Sequence, residues 1–433
     1  VTTTGKTKQS ARGKRAKSAM PESEFHSEAR AILSELRKYL GAAIEPATRG
    51  TTPGATEWSR ALDIDTKLAW KLTHLLDPDG DLEALEFVPG RQAFDQILEA
   101  AGKAGEGAGG TAKKASEASG AARLAFERYE TLVRTHAGSR KAFDVLVTSQ
   151  RPRGTSRAEV NLRRGAVEAN ASLLGVRAGA QVAIYGLAPS SVDENSLDVM
   201  GVRKIEGTER MRPNVNWRIA RSFKTAEDGT PLPGGPEPLV KAKLSKALTG
   251  LPVVPDFSTT PLPTLARLDA SPSAVEFEMR GGEVGASARF DLTTAEIFRP
   301  GDNRYANKDG NRRTRIFAGV RVPCDLLYVD LIVHKDLFES TEPSVQIVST
   351  LHTGMSLEFR DSDILPIEPE FMSLGRGLGK VKDRERPRHA ELVRWAMLEV
   401  GWNPDDFDVY RFKLQYPPLP SGVAFDWLRR KKK

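Results

Sequence analysis

In the N-terminal part of the chain, apolar residues return every three or four positions, the spacing of helices with one buried face. Beyond residue 174 they mostly alternate with polar ones, the spacing of half-buried strands. Phe25, Ala29, Ile32, Leu33, Leu36, Tyr39 and Leu40 form the first helical stripe, and Gly41 stands where that helix is predicted to stop. Residues 45–54, with two prolines and two glycines, read as a loop. Further helices are predicted at 91–101 around Phe94, Ile97 and Leu98, at 112–135 around Ala122, Phe126, Tyr129, Leu132 and Val133, and through Phe143, Leu146 and Val147. The glycine-rich run 103–110 is a flexible break, and RPRG at 151–154 is a domain boundary.

A helix at 157–174 precedes predicted strands at 181–187, 196–205, 217–223, 315–322, 326–333, 345–351, 356–359 and 409–416. The Pro/Gly segment 229–238 is a loop, and a late helix at 389–400 ends at Gly401. Long strand runs with few crossover helices make the fold class α+β: an α-helical N-terminal domain followed by a β-rich, mainly antiparallel C-terminal domain. The sharpest pattern is at 275–290. Val275, Phe277 and Met279 alternate with Glu276, Glu278 and Arg280, Gly281-Gly282 follows, and Val284, Ala286, Ala288 and Phe290 resume the alternation. A two-residue turn predicts a hairpin with these apolar residues on one buried face and Glu276, Glu278, Arg280 and Arg289 in water.

With 39% hydrophobic and 28% charged residues the 433-residue chain has a globular composition of two or three domains. The longest apolar stretch, 325–338, is broken by Asp330, His334, Lys335 and Asp336, which excludes a membrane span and, with the single Cys324 in a predicted core strand, points to the cytoplasm. The net charge of +7 is unevenly placed. Residues 1–21 hold Lys6, Lys8, Arg12, Lys14, Arg15 and Lys17 without an acid, and 429–433 are all Lys or Arg, so the body between these ends carries about −4. Basic arms of this kind bind phosphates without sequence preference.

Within residues 56–76, Trp58, Leu62, Ile64, Leu68, Ala69 and Leu72 are spaced as the internal contacts of two short helices crossing at a tight turn, with small Ser59 at their close approach. The segment resembles the helix-turn-helix DNA-binding element of bacterial transcription regulators, with Asp63 standing where that turn usually has Gly. The resemblance implies a second helix that starts near Thr66, exposes Thr66, Lys67, Lys71 and His74 to bases or phosphates, and holds Trp70 partly inserted in the fold. Residues 55–89 carry eight acids against Arg60, Lys67 and Lys71, a local net of −5 that requires the acids to lie on another face or the tail residues Lys14, Arg15 and Lys17 to supply the attraction.

Elsewhere, the 301–315 loop sets Arg304, Arg312 and Arg313 around Tyr305, a combination suited to anions. The Gly375–Lys380 run lacks the spaced Gly and the Ser/Thr of a phosphate loop and reads as a flexible basic loop. Asp330 and His334 share a strand face near His352, yet six scattered histidines without HxH or HExxH and one cysteine predict no metal site, and no cofactor motif is present. Nothing resembles GxSxG, so an enzyme ranks behind two other classes. The reading is thus a basic tail (1–22), an α-helical domain (23–150), a β-rich domain (151–428) and a second basic tail (429–433). The first class is a DNA-binding transcription regulator whose C-terminal domain binds a ligand or oligomerises. The alternative is a non-catalytic structural subunit that meets a protein partner through its helical domain.

Overall fold

The computed structural model describes residues 24–48, 54–78, 80–105, 110–148, 157–222, 224–225, 231–232, 236–240, 251–271, 274–306, 313–352 and 359–432. The basic segment with Lys14, Arg15 and Lys17, the boundary at 151–154, Arg312 and most of the predicted strand at 356–359 lie outside the described residues. The chain forms two units, Val1–Pro152 and Arg153–Lys433, the first helical and the second β-rich, so the fold class is α+β.

The first unit contains α1 (Glu24–Thr48), α2 (Ala55–Leu62), α3 (Thr66–Leu76), α4 (Arg91–Gly105), α5 (Gly110–His136) and α6 (Arg140–Thr148). Their apolar stripes meet in one core, with Phe94 stacked on Phe126 and Tyr129 edge-on to Phe143. The predicted stop at Gly41 is corrected: α1 runs on to Thr48, and Ala43 and Ile44 are buried. Burying an Ile side chain is worth about 1.5–3 kcal/mol, more than the roughly 1 kcal/mol that Gly costs inside a helix.

The second unit opens with α7 (Arg157–Leu174). Gly175 then takes the left-handed conformation, φ 72°, and its N–H bonds the Ala171 carbonyl at 2.8 Å, closing the helix and turning the chain into the first strand. The strands are β1 (Val176–Pro189), β2 (Ser196–Arg210), β3 (Trp217–Ser222), β4 (Lys224–Thr225), β5 (Pro231–Leu232), β6 (Glu237–Pro238), β7 (Leu265–Ser271), β8 (Ala274–Met279), β9 (Phe290–Asn303), β10 (Arg313–Gly319), β11 (Cys324–His334), β12 (Ser344–Ser349), β13 (Glu370–Arg376), β14 (Phe407–Gln415) and β15 (Ser421–Leu428). A helix, α8 (His389–Glu399), lies between β13 and β14 in the chain.

Seven strands form one sheet in the order β13-β14-β11-β1-β2-β9-β6, antiparallel except where β1 pairs β11. Two three-stranded sheets, β10-β15-β12 and β3-β8-β7, complete the larger architecture, with β4-β5 as a small pair. On one face of the large sheet Leu327, Val329, Leu331 and Phe412 pack against Val423, Phe425 and Trp427 of β15. On the other, Ile184, Met200, Ile332 and Val409 pack against Leu392, Val393, Ala396 and Met397 of α8. Covered on both faces, β11 is apolar almost throughout rather than alternating.

The hairpin expected at 275–290 does not form. Strand β8 is the middle strand of its sheet, with Met279 opposite both Trp217 of β3 and Leu265 of β7. The glycine amides that would close a tight turn bond elsewhere, Gly281 to Asn216 Oδ1 at 3.1 Å and Gly282 to the Pro213 carbonyl at 3.1 Å. Ala286–Ala288 is a single 3-10 turn, and Val284 is exposed. The alternation of Val284, Ala286 and Ala288 was real but small in area, and pairing with β3 on one edge and β7 on the other buries Phe277 and Met279. Glu276, expected in water, is buried and pairs with Arg218 at 3.1 Å.

Two basic segments also differ from expectation. Arg429 is buried, its guanidinium on both Asp302 oxygens (2.9 and 3.0 Å) and on Thr314 Oγ1 (2.8 Å), so the C-terminal cations begin inside the fold. Gly375 and Arg376 belong to β13, where Arg376 bonds Asp408 of β14 at 2.9 Å.

Candidate functional site

The α2–α3 pair is built by its turn. Asp63 ends α2 in the left-handed region, φ 51°, the position where Gly is usual and Asp is tolerated. The Ser59 carbonyl accepts from the Ile64 N–H at 3.1 Å, and Ser59 Oγ donates to the Ile64 carbonyl at 2.6 Å. Asp65 then caps α3, its Oδ1 accepting from the Leu68 N–H at 2.9 Å. Both turn aspartates thus have local structural tasks. Trp58, Leu62, Ile64, Leu68, Ala69 and Leu72 are all buried, as their spacing predicted.

Outward, Thr66 and Lys67 are exposed and Lys71 and His74 half-buried. Lys67, Trp70, Lys71 and His74 follow one another at i, i+3, i+4 and i+7, so they share one side of α3, and no acid of the helix lies among them. Trp70 is not inserted. It is 45% exposed, with its ring 4.1 Å from that of His74 and edge-on to Phe87 at 5.3 Å, while His74 Nδ1 donates to the Trp70 carbonyl at 2.8 Å. The helix interior was already filled by Leu68, Ala69 and Leu72, leaving the indole no place but the surface.

The remaining predicted site residues belong to the second unit. Arg304 lies over the Tyr305 ring at 5.3 Å, and Arg313 is exposed, 3.9 Å from Asp426. Asp302 is held by Arg429, and the Ala306 N–H bonds the Arg430 carbonyl at 3.0 Å, so residues 302–306 are tied to the C-terminal segment.

Asp330 is fully buried between β14 and α8. Its Oδ1 accepts from Arg411 Nε at 2.8 Å, and its Oδ2 from Arg411 Nη2 at 2.8 Å and His389 Nε2 at 2.7 Å. Burial alone would raise the Asp330 pKa, but the Arg411 and His389 bonds outweigh it and hold the carboxyl below its ordinary value. Tyr328, also buried, donates to Asp383 at 3.1 Å under the guanidinium of Arg411. His334, at the strand end, lies 3.9 Å from Asp336 and is not a partner of Asp330. Asp330, Tyr328, His389 and Arg411 are buried and Asp383 half-buried, and together they clamp α8 and the 381–383 segment to the sheet.

A cleft lies on the β1-β2-β9 face, with Trp217 of β3 and Gly319 of β10 also in its lining. It is a small cleft lined chiefly by Gln181, Tyr185, Arg203, Trp217, Thr294 and Arg321, with Ala183, Ile205 and Leu292 as further apolar wall. Register explains the set: Gln181 faces Ile205 and Ala183 faces Arg203 across β1-β2, and Arg203 faces Thr294 and Ile205 faces Leu292 across β2-β9. The Arg203 guanidinium donates to the buried carboxylate of Glu296 and to Tyr185. Burial opposes its charge, but Glu296 and Tyr185 outweigh that and raise its pKa. Gln181 is spanned on both sides, donating to the Gly319 carbonyl at 2.8 Å and accepting from the Arg321 N–H at 2.9 Å. Among the described residues, no carboxylate lines the cleft.

Sequence reasoning did not find the cleft, because its lining comes from five strands and adjoining turns. Asp330 carried a signal, a carboxylate within the apolar run LLYVDLIV, but its partner Arg411 is 81 positions away. Comparison of the chain with family models, curated proteins and solved structures finds no match.

Proposed function

We propose that the chain is a DNA-binding regulator in which α3 meets the nucleic acid and the β-rich unit carries a ligand site. The observation that carries this reading is the outward side of α3: Thr66 and Lys67 at its start, then Trp70, Lys71 and His74, on a helix whose turn and interior follow a helix-turn-helix pattern. Thr and Lys suit phosphate and base-edge contacts, and the helix start is the part that meets bases in that arrangement. The test is fluorescence anisotropy of the full chain on a sequence selected from genomic DNA, across a salt series. Lys67→Ala with Lys71→Ala should weaken binding and reduce the salt slope by about 2, one phosphate contact per lysine. Unchanged affinity and slope would remove α3 as the reader.

The exposed Trp70 beside Phe87, among the acids of residues 55–89, favours a second reading, a protein partner anchored on that aromatic pair. It stands if DNA binding ignores both lysines and a partner recovered by the full chain from its native host is lost on Trp70→Ala.

A further inference from the structure

The charges around the cleft on the β1-β2-β9 face are balanced before any ligand arrives. Arg203 and Glu296 lie on the same side of the sheet and pair with each other, so the guanidinium brings its own counter-charge. Lys204, the next residue of β2, turns to the opposite side and meets Glu206 and Asp291, each at 3.2 Å. Arg321 is itself engaged in the fold. Among the described residues the lining thus presents neither a free cation nor a carboxylate.

Its remaining groups are apolar or neutral. Trp217, Ile205, Leu292 and Ala183 form the wall. Beside them, Arg203 and Thr294 stand opposite each other across β2-β9, and Ile205 and Leu292 form the next pair along the same face. Thr294 Oγ1 reaches the Arg203 carbonyl at 3.4 Å, beyond the ordinary hydroxyl range, so the hydroxyl is largely unspent. The Arg203 guanidinium has five N–H groups, more than its bonds to Glu296 and Tyr185 consume. A carbonyl oxygen and an N–H on one edge of a ligand would therefore find a donor in Arg203 and an acceptor in Thr294. A charged ligand gains less. A carboxylate meets the Glu296 charge together with that of Arg203, an ammonium finds no carboxylate in the lining, and each loses its water against the apolar wall.

We propose that this cleft binds a small uncharged molecule, a single flat ring with an amide-like edge, the ring against Trp217, Ile205 and Leu292 and the edge toward Arg203 and Thr294. This names the ligand class for the β-rich half of the regulator and rests on that reading only for the ligand's role as an effector; the binding itself is independent of DNA.

The experiment is a ligand-observed NMR titration of the full chain, without DNA, with benzamide, benzoate, benzylammonium and toluene. Benzamide should bind at least about tenfold more tightly than either ion, because only the ions lose a charge's hydration without a free counter-ion. Thr294→Val, a near-isosteric change, should weaken benzamide about fivefold, the worth of one hydrogen bond, and leave toluene unchanged. Trp217→Leu should weaken benzamide and toluene alike, provided circular dichroism shows the variant folded; if it does not fold, Thr294→Val carries the test. Failure of benzamide to bind the native chain, an ion that binds as tightly, or benzamide affinity that Thr294→Val leaves unchanged would overturn the proposal. None of these results touches the anisotropy measurement on DNA, so the two readings fail separately.

Discussion

At the scale of single residues, two positions have most of their surroundings determined by charge or backbone conformation. Asp330 is held by Arg411 on one side and His389 on the other, with no solvent access. Removing one partner of a buried pair leaves an uncompensated charge, so Arg411→Ala should destabilise the second unit by about 3–5 kcal/mol in denaturant unfolding. Because the folded Asp330 pKa is depressed, its stabilisation is fully present above the ordinary carboxylate value of about 3.9 and is lost as pH falls through the folded value. Stability measured against pH should therefore fall below about pH 4, and less steeply in Asp330→Asn, which has no carboxylate there to protonate. Asp63 is the backbone case. At φ 51°, Asp63→Gly should change stability by less than about 0.5 kcal/mol, whereas Asp63→Val should cost about 1–2 kcal/mol, because a β-branched side chain clashes in the left-handed region. Comparative chemical denaturation of the two variants checks this.

At the scale of elements, local patterning succeeded where an element's partners are near in sequence and failed where they are not. The α2–α3 pair closes within about twenty residues, so the spacing of Trp58, Leu62, Ile64, Leu68 and Leu72 was enough to place its interior. The segment 275–290 shows the opposite. Its alternation and Gly-Gly turn satisfied every local rule for a hairpin, yet β8 is paired by β3 and β7. The difference is measurable. Phe277, 2% exposed, should cost about 3–5 kcal/mol when cut to Ala, whereas Val284→Ala should stay within about 0.5 kcal/mol, since Val284 stands in water. A hairpin would have made both substitutions costly. Strands β7, β9, β13 and β15 were missed for a related reason: β7, β9 and β13 show no clean alternation and β15 is buried almost throughout, so each owes its place to the strand beside it.

At the scale of the whole molecule, the helical unit has a core of its own and the β-rich unit has several clusters of its own. A fragment of residues 24–148 and one of 157–433 should each fold alone and give a cooperative thermal transition by circular dichroism. Absence of a transition in either would show that its core is incomplete without the other half.

By itself the sequence determined which stretches could become helices, that a helical half precedes a β-rich one, and which residues of α2 and α3 turn inward, because these follow from periodicity and turn chemistry within one or two elements. Only the tertiary structure decided strand partners, the fate of the C-terminal cations and both polar sites of the β-rich unit. Asp330 meets Arg411 through the β11-β14 register, and Arg203 meets Tyr185 and Glu296 through the registers of β1-β2 and β2-β9. Register between distant strands is a competition among all the apolar faces of the chain. The segment that loses it, as Val284 to Ala288 did, can look locally as good as the one that wins.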